Sequence, residues 1–227
     1  MKKVVFTLVF LALVLPSVAM AAEEALLSAS ERYSYAMGVR FGQLLKGQGI
    51  EQVDSKAFAA AIDDVLLNRP LRLNSNEMMA AIQEQQRAFA RQRDQRAQTN
   101  LEAGQAFLAK NAGDEGVVVL PSGLQYRVLD SGTGAQPGSD ARVRVHYHGS
   151  LLDGSVFDSS VDRGQPADFS LSAVIPGFRE SISRMHVGDR WQVFVPSSLA
   201  YGEDGAGTKI GPNETLIFEV QLLDILQ

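Results

Sequence analysis

The 227-residue chain contains no cysteine. This excludes disulfide bonds, a thiolate nucleophile, a cysteine-type zinc site and a thiol-linked lipid. The stability of the folded protein must therefore come from the packing of its core. With 45% hydrophobic and 21% charged residues, the composition is that of a globular protein, and the length predicts two domains.

An excess of positive charge is also absent. The chain has 21 Lys and Arg against 26 Asp and Glu, a net charge of −5 at pH 7. Such a chain is poorly suited to binding phosphate groups, so we expect no nucleic-acid partner. Four arginines do lie close together in one polar segment, but acidic and glutamine side chains separate them, which is typical of a solvated helix face. They are Arg87, Arg91, Arg93 and Arg96.

Long hydrophobic runs are missing as well. The apolar run Val4–Leu15 has 12 residues, fewer than the roughly 18 that a membrane-spanning helix needs. Two lysines precede the run and an Ala-x-Ala cleavage site follows it, so residues 1–21 are predicted to be a signal peptide and Ala22 the first mature residue. Cleavage leaves 19 basic against 26 acidic side chains, a net charge of −7. The pattern indicates a bacterial periplasmic protein, with outer-membrane association left open.

Two short amphipathic helices are predicted after the signal peptide. Ser28 and Glu31 have the spacing of a capping box, Asp54 or Ser55 starts the second helix, and residues 68–70 end it. Their apolar stripes consist of Tyr33, Met37, Phe41, Leu44 and Leu45 in the first helix and Phe58, Ile62, Val65 and Leu66 in the second. Because so short a pair buries little surface alone, residues 22–73 are predicted to be a homodimerisation domain. The alternative is that the pair folds back on the C-terminal domain.

One long helix is predicted next. Asn74 and Glu77 have capping spacing, and only Gly104 interrupts the helical pattern between Asn76 and Lys110. These 35 residues would extend about 52 Å at 1.5 Å per residue. The middle of the segment is polar on all sides, so residues 74–113 are predicted to be a connecting helix that crosses solvent.

The remaining residues, 114–227, have a β pattern. Apolar side chains alternate from Val143 to Tyr147, and Asp153-Gly154 predicts a hairpin turn. A short helix is predicted from Pro176 to Gly188. Further strands are predicted at 117–120, 124–129, 191–195 and 215–226. The expected fold class is α+β, with mostly antiparallel strands around one short helix.

Several sequence blocks of the C-terminal half resemble the FK506-binding-protein (FKBP) type peptidyl-prolyl cis-trans isomerases in order and spacing. The blocks are Val145–Ser160, Val174–Phe178, Met185–Gly188, Ala200–Gly202 and Ile210–Val220. The family resemblance implies a half-barrel fold and isomerase activity on proline-containing, unfolded or partly folded proteins. The whole chain resembles the secreted bacterial macrophage infectivity potentiator (Mip) type of the family, in which the N-terminal helices form a homodimer.

The same resemblance implies a set of site residues. Those expected to take part in catalysis are Asp158, Tyr201, Phe157 and Phe218. Those expected to bind substrate are Tyr147, Arg163, Phe169, Val174, Ile175, Phe178 and Ile210. In this scheme Phe178 is the pocket floor, the Ile175 N–H and the Tyr201 hydroxyl hydrogen-bond substrate carbonyls, and Arg163 orients the Asp158 carboxylate. Composition alone would assign most of these residues to a buried core.

Prolyl isomerisation breaks no bond; its obstacle is the peptide rotation barrier of about 18–20 kcal/mol. We therefore expect no cofactor and no metal. A macrolide of the FK506 or rapamycin type is a candidate inhibitor, although Phe178 stands where many family members have Trp and Ala167 where some have another aromatic residue. An alternative function is a holdase-like chaperone or peptide-binding module with incidental isomerase activity. His146 and His148 share a strand face, which a solvated surface explains better than a metal site.

Overall fold

The structure, a computed structural model, describes residues 28–50 and 52–226. The predicted signal peptide and the start at Ala22 lie outside these residues. The chain divides into two compact units, residues 1–72 and residues 73–227. No helix among the described residues combines the length and the apolar character needed to cross a membrane.

The first unit contains helices α1, Ala29–Gly47, and α2, Ser55–Leu66. The capping predictions are confirmed. Ser28 and Glu31 form both bonds of a capping box at 2.8 and 3.1 Å, and the Asp54 carboxylate accepts two backbone N–H groups at 2.9 Å. Within this unit no residue of α1 is buried, and the buried residue of α2 is Asp64. Both predicted apolar stripes are therefore largely exposed on the single chain.

Helix α3, Ser75–Asn111, has 37 residues and a capping box made by Asn74 and Glu77, as predicted. The expectation that it crosses solvent is wrong for its second half. There Phe107 packs on Phe194 with ring centroids 5.7 Å apart, and the Asn111 amide donates to the Gln125 side chain at 2.8 Å. The segment expected to be a separate connector therefore belongs to the second unit. Many of its contacts come from polar side chains, which hydrophobic periodicity does not detect.

Gly104 shows how closely α3 approaches the sheet. A Cβ atom added to this residue would overlap the Thr215 Oγ1 atom and lie 3.3 Å from the Thr215 Cβ atom. Glycine is unfavourable inside a helix by about 1 kcal/mol relative to alanine. Here the missing side chain allows the helix and the start of the last strand to pack together.

The second unit also contains a seven-stranded sheet whose strand pairs are all antiparallel. Its order is β1-β2-β6-β7-β3-β4, and β5 also pairs with β3. The α+β fold class is confirmed. The strands are β1 Val117–Val119, β2 Gln125–Asp130, β3 Arg142–Ser150, β4 Val156–Ser159, β5 Ala167–Ser170, β6 Arg190–Val195 and β7 Leu216–Leu226.

The predicted alternation of β3 is confirmed. Val143, Val145 and Tyr147 are buried, whereas the residues between them are exposed or half-buried. The β3–β4 hairpin turns at Gly154, whose φ of +85° is left-handed and suits glycine. Because β3 pairs with β4, β5 and β7, it brings side chains from several distant segments together.

Helix α4, Pro176–Ile182, packs its buried residues Phe178 and Ile182 into the core. The prediction that it continues to Gly188 is wrong. The helix ends at Ile182, and the chain continues in turns in which the Arg184 N–H donates to the Ser181 carbonyl oxygen and the Met185 N–H to that of Ile182, both at 3.0 Å. The short strand β5 was not predicted, because four residues that include Asp168 and Ser170 show no clear alternation.

Candidate active site

A cleft of about 270 Å³ opens beside α4. The structure brings nine of the eleven predicted site residues together in its lining. The lining residues are Tyr147, Phe157, Asp158, Phe169, Ala173, Val174, Ile175, Phe178, Tyr201 and Phe218. Asp158 is the one ionisable carboxyl group among them, so the cleft is an aromatic wall with a single acid.

The rings of the cleft form a continuous packed set. Phe178 is 4% exposed and contacts three other rings, with centroids 6.2 Å from Tyr147, 5.9 Å from Phe169 and 5.1 Å from Phe218. Phe157 meets Phe218 edge to face at 5.4 Å. Edge-to-face and tilted pairs of this kind fix ring positions. The lower cleft is therefore a rigid apolar surface with Phe178 at its base.

A close backbone approach allows Phe157 to reach this position. Its β4 segment pairs with the end of β3, where Gly149 lies opposite Asp158. A Cβ atom on Gly149 would lie 2.6 Å from the Phe157 Cζ atom and 3.0 Å from the Phe218 Cε1 atom. Only glycine leaves room for both rings at this point of the strand.

The acid of the cleft is held by two neighbours. The Tyr147 hydroxyl donates to one oxygen of the Asp158 carboxylate, and the Arg163 guanidinium donates to the other. Arg163 also donates to the Tyr147 hydroxyl oxygen at 2.9 Å, and its guanidinium lies 5.6 Å from the centroid of the tyrosine ring. The three side chains form a closed hydrogen-bonded triangle at the edge of the cleft.

This triangle sets the charge of the acid. Partial burial raises the pKa of Asp158, but the hydrogen bonds from Tyr147 and Arg163 and the positive charge of Arg163 outweigh it, so the pKa lies below its usual value. Burial and the bond to Asp158 raise the pKa of Tyr147. At neutral pH the site therefore contains a carboxylate, a neutral tyrosine and a charged arginine.

Two predicted site residues do not line the cleft. Arg163 does not line the cleft but donates hydrogen bonds to the Asp158 carboxylate and to the Tyr147 hydroxyl oxygen. Ile210 is 9% exposed and packs in the core, while its backbone pairs with Ala206 in both directions at 2.9 and 3.2 Å. Ile210 is thus not a lining residue of the cleft, because the pairing at the base of the loop leaves its side chain in the core, and its contact with substrate stays a prediction.

Two residues near the cleft were missed. Ala173 is a lining residue, and the Lys209 ammonium group donates to the Phe157 carbonyl oxygen at 3.0 Å. A lone alanine and an exposed lysine carry no signal in the sequence. Tyr201 was predicted and lies at the rim of the cleft, 41% exposed.

The other face of β3 borders an open groove that includes His146, His148 and Glu219. His146 and His148 each place an Nδ1 atom 3.1 Å from a serine hydroxyl. Among residues 28–50 and 52–226, no three His, Cys, Asp or Glu side chains come together in a way that could hold a metal ion. Hydrogen bonding to serine accounts for this histidine face.

Comparison with known proteins agrees with this geometry. A family model described as "FKBP-type peptidyl-prolyl cis-trans isomerase" matches residues 133–223, and one described as "Domain amino terminal to FKBP-type peptidyl-prolyl isomerase" matches residues 30–128. The chain is 41% identical over 215 residues to the outer membrane protein MIP of Legionella longbeachae, with 92% of each chain covered.

Two further similarities cover most of the chain. It is 45% identical over 193 residues to the FKBP-type 22 kDa peptidyl-prolyl cis-trans isomerase of Escherichia coli strain K12, which covers 85% of this chain and 94% of that protein. The crystal structure of FkpA from Escherichia coli superposes with a TM-score of 0.63 and 30% identity, covering 88% of this chain and 98% of FkpA. The similarity therefore includes the helical segments as well as the sheet.

Proposed function

Because the chain belongs to the family of FKBP-type peptidyl-prolyl cis-trans isomerases, we propose that its cleft catalyses rotation about X–Pro bonds in exported proteins. The substrates are proline-containing segments of unfolded or partly folded chains in the periplasm. The observation that carries the proposal is the packed aromatic cleft with one ionised acid at its edge.

The cleft suits a reaction that needs no nucleophile. The planar amide is stabilised by resonance that separates charge, and water solvates that form well. Apolar walls remove this water and so disfavour the planar ground state relative to the twisted transition state. In this scheme Phe178 supports the proline ring, and Phe157 and Phe218 form the adjacent wall.

Three polar groups complete the proposed mechanism. Among the described residues, none accepts a hydrogen bond from the backbone N–H of Ile175, which precedes the first turn of α4. This N–H and the Tyr201 hydroxyl would each bind a substrate carbonyl on either side of the rotating bond. The Asp158 carboxylate, held by Arg163 and Tyr147, would interact with the amide as its resonance is lost.

The direct test is a protease-coupled assay with a short prolyl peptide. Asp158→Leu, Tyr201→Phe and Phe157→Ala should each lower kcat/KM while circular dichroism stays that of the wild type. Arg179→Ala, an exposed change on α4 outside the cleft, is the matched control. Wild-type rates in all three cleft variants would show that the site lies elsewhere.

We propose that a second copy of this chain covers the first unit. The exposed apolar side chains of α1 and α2 support this, among them Tyr33 at 68%, Leu44 at 56% and Leu66 at 73% exposure. Since so small a helix pair has almost no core of its own, burying these groups against a copy would stabilise it. A chain that sediments as a monomer would instead favour the alternative that the pair folds back on the rest of the molecule.

The same exposed side chains favour a second candidate function, a holdase-like chaperone. Unfolded proteins expose apolar segments that these helices could bind. A client that contacts both copies of the proposed dimer at once would be bound more tightly than by one copy, by roughly 10²–10⁴ when the geometry permits. The full chain should therefore suppress aggregation more strongly than residues 73–227 at equal site concentration. Equal suppression by both proteins would remove the chaperone proposal and leave the isomerase proposal intact.

A further inference from the structure

Helix α3 contacts the loop that follows Tyr201. Arg93 donates from its Nη2 atom to the Glu203 carbonyl oxygen at 3.0 Å. Asn100 donates from its Nδ2 atom to the Pro212 carbonyl oxygen at 2.8 Å and to the Glu214 carboxylate at 2.9 Å. The α3–loop contact, defined by these bonds, joins the helix to both ends of the loop of residues 202–214.

The helix residues involved share one face. Arg93, Ala97 and Asn100 follow at intervals of four and three residues, and the Ala97 carbonyl oxygen accepts from the Asn213 amide at 3.4 Å. Asn100 is half-buried, and its two bonds are partly buried. A contact shielded from water in this way contributes more to position than an exposed one.

The loop borders the cleft. Tyr201, at its start, lines the rim, and Lys209, near its end, donates to the Phe157 carbonyl oxygen next to Asp158. The loop therefore lies between α3 on one side and the strand that carries the acid on the other. A shift of the loop would move the Tyr201 hydroxyl relative to the Asp158 carboxylate.

The loop is closed by a few backbone bonds of its own. Ala206 and Ile210 pair in both directions, the Asn213 N–H donates to the Gly202 carbonyl oxygen at 2.8 Å, and left-handed φ angles occur at Gly205, +66°, and Gly207, +57°. These bonds hold the loop together, but its position on the second unit depends on tertiary contacts. The α3–loop contact contributes three side-chain hydrogen bonds of this kind. Two reach backbone carbonyl oxygens of the loop, and the third reaches the Glu214 carboxylate at its end.

We propose that Asn100, assisted by Arg93, is a positioning residue for the prolyl isomerase cleft and acts through the loop on Tyr201. This inference rests on the proposed function. It gives α3 a role beyond connection and accounts for Arg93, which the sequence pattern assigned to a solvated face. A fragment of residues 114–227, which lacks α3, would therefore lack a part of the catalytic unit.

The experiment uses the full mature chain, residues 22–227. Asn100→Ala and Arg93→Ala should each lower kcat/KM for a short prolyl peptide, with Asn100→Ala reducing it by roughly three- to tenfold, the size of a lost hydrogen bond. Most of the change should be a higher KM, because a displaced Tyr201 binds the substrate carbonyl less well. The matched control is Gln98→Ala, since within the described part of the chain the Gln98 side chain bonds to Glu102 on the exposed face of α3 and not to the loop.

A double-mutant cycle separates positioning from general loss of structure. If Asn100 acts through Tyr201, the effect of Asn100→Ala disappears in a Tyr201→Phe background. Additive effects of the two substitutions, or a wild-type rate for Asn100→Ala, would overturn the inference. Should Asn100→Ala melt below the assay temperature, the exposed Arg93→Ala variant answers the same question in the same cycle.

Amide spectra distinguish failure of this inference from failure of the proposed function. In ¹H–¹⁵N spectra, Asn100→Ala should shift the amides of Gly205 and Gly207, which lie in the loop but outside the direct contact. If the wild-type protein were inactive on prolyl peptides, the proposed function would fail, but the amide shifts would still show whether Asn100 positions the loop. If the wild type were active and the loop amides did not move, the inference alone would fail.

Discussion

The hydroxyl group of Tyr147 on β3 donates a hydrogen bond to the Asp158 carboxylate on β4, 11 residues further along the chain. Arg163 binds both side chains. From the sequence, Tyr147 was predicted only as an aromatic residue that lines the cleft. Its hydroxyl group also helps to keep the Asp158 carboxyl group ionised. The electrostatics of the site depend on this triangle, and its removal has a measurable consequence for the pH dependence of the enzyme.

We expect Tyr147→Phe to raise the pKa of Asp158. Burial already raises this pKa, and the variant loses one of the bonds that outweigh burial. Activity that needs the carboxylate is lost as the pH falls through the folded-state pKa, so the acid limb of kcat/KM should move to higher pH. The acid's stabilising effect is likewise present above its unfolded pKa of about 3.9 and is lost as the pH falls through its lower folded pKa.

The measurement is a pH profile of kcat/KM together with an NMR titration of the Asp158 carboxyl carbon. Tyr126→Phe is the matched control, because Tyr126 stacks on Trp191 at 4.1 Å and lies outside the cleft. An unchanged acid limb in Tyr147→Phe would show that the carboxylate is not held by this bond or is not used in catalysis.

Phe178→Leu should reduce both stability and activity. The change removes three ring contacts, which together contribute about 1.5–4.5 kcal/mol to the free energy of unfolding. In the proposed mechanism the floor of the cleft would also recede from the proline ring, so kcat/KM should fall by roughly tenfold or more. Denaturant unfolding and the peptide assay measure the two effects.

Leu222→Ala provides the control for this prediction. Leu222 is fully buried in β7 but does not line the cleft, and its truncation should cost about 2–5 kcal/mol. At a temperature where both variants are folded, Leu222→Ala should retain wild-type kcat/KM. Similar losses of activity in both variants would mean that Phe178 acts only through stability.

Gly104→Ala should lower stability, although alanine is favoured over glycine in helices by about 1 kcal/mol. The added Cβ atom would overlap the Thr215 hydroxyl and separate α3 from β7, with an expected net cost of about 1–3 kcal/mol. The double variant with Thr215→Ala should recover part of this loss. A rise in melting temperature for Gly104→Ala alone would contradict the close packing.

Leu66→Glu should weaken the proposed self-association through α1 and α2 without unfolding the single chain, because Leu66 is 73% exposed. In a symmetric dimer the change occurs twice, and two lost leucine burials of about 1.5–3 kcal/mol each would raise the dissociation constant by at least about a hundredfold. Sedimentation velocity of residues 22–227 measures this. Gln43→Glu, which adds the same charge at an exposed polar position of α1, should leave the dimer intact.

Features that depend on neighbours in the chain could be predicted from the sequence. The capping boxes of α1 and α3, the alternation of β3 and the turn at Gly154 each follow from residues within a few positions of one another. Family motifs extended this to nine of the ten cleft-lining residues, because sequence blocks in the same order as in the family imply a fold that brings these residues together. The end of α4 was missed since a buried turn and a helix end can have similar apolar spacing.

Only the tertiary structure decided which side chains meet across long separations. Two long-range contacts join segments whose local patterns are independent of one another: the bond from Asn100 to Pro212 and the close approach of Gly104 to Thr215. The burial of Ile210 likewise depends on residues far away in the sequence. The second half of α3 looks solvated in the sequence because its contacts are hydrogen bonds made by polar side chains. Hydrophobic periodicity reports which face of an element is apolar, whereas a polar contact becomes visible only when both partners have been placed.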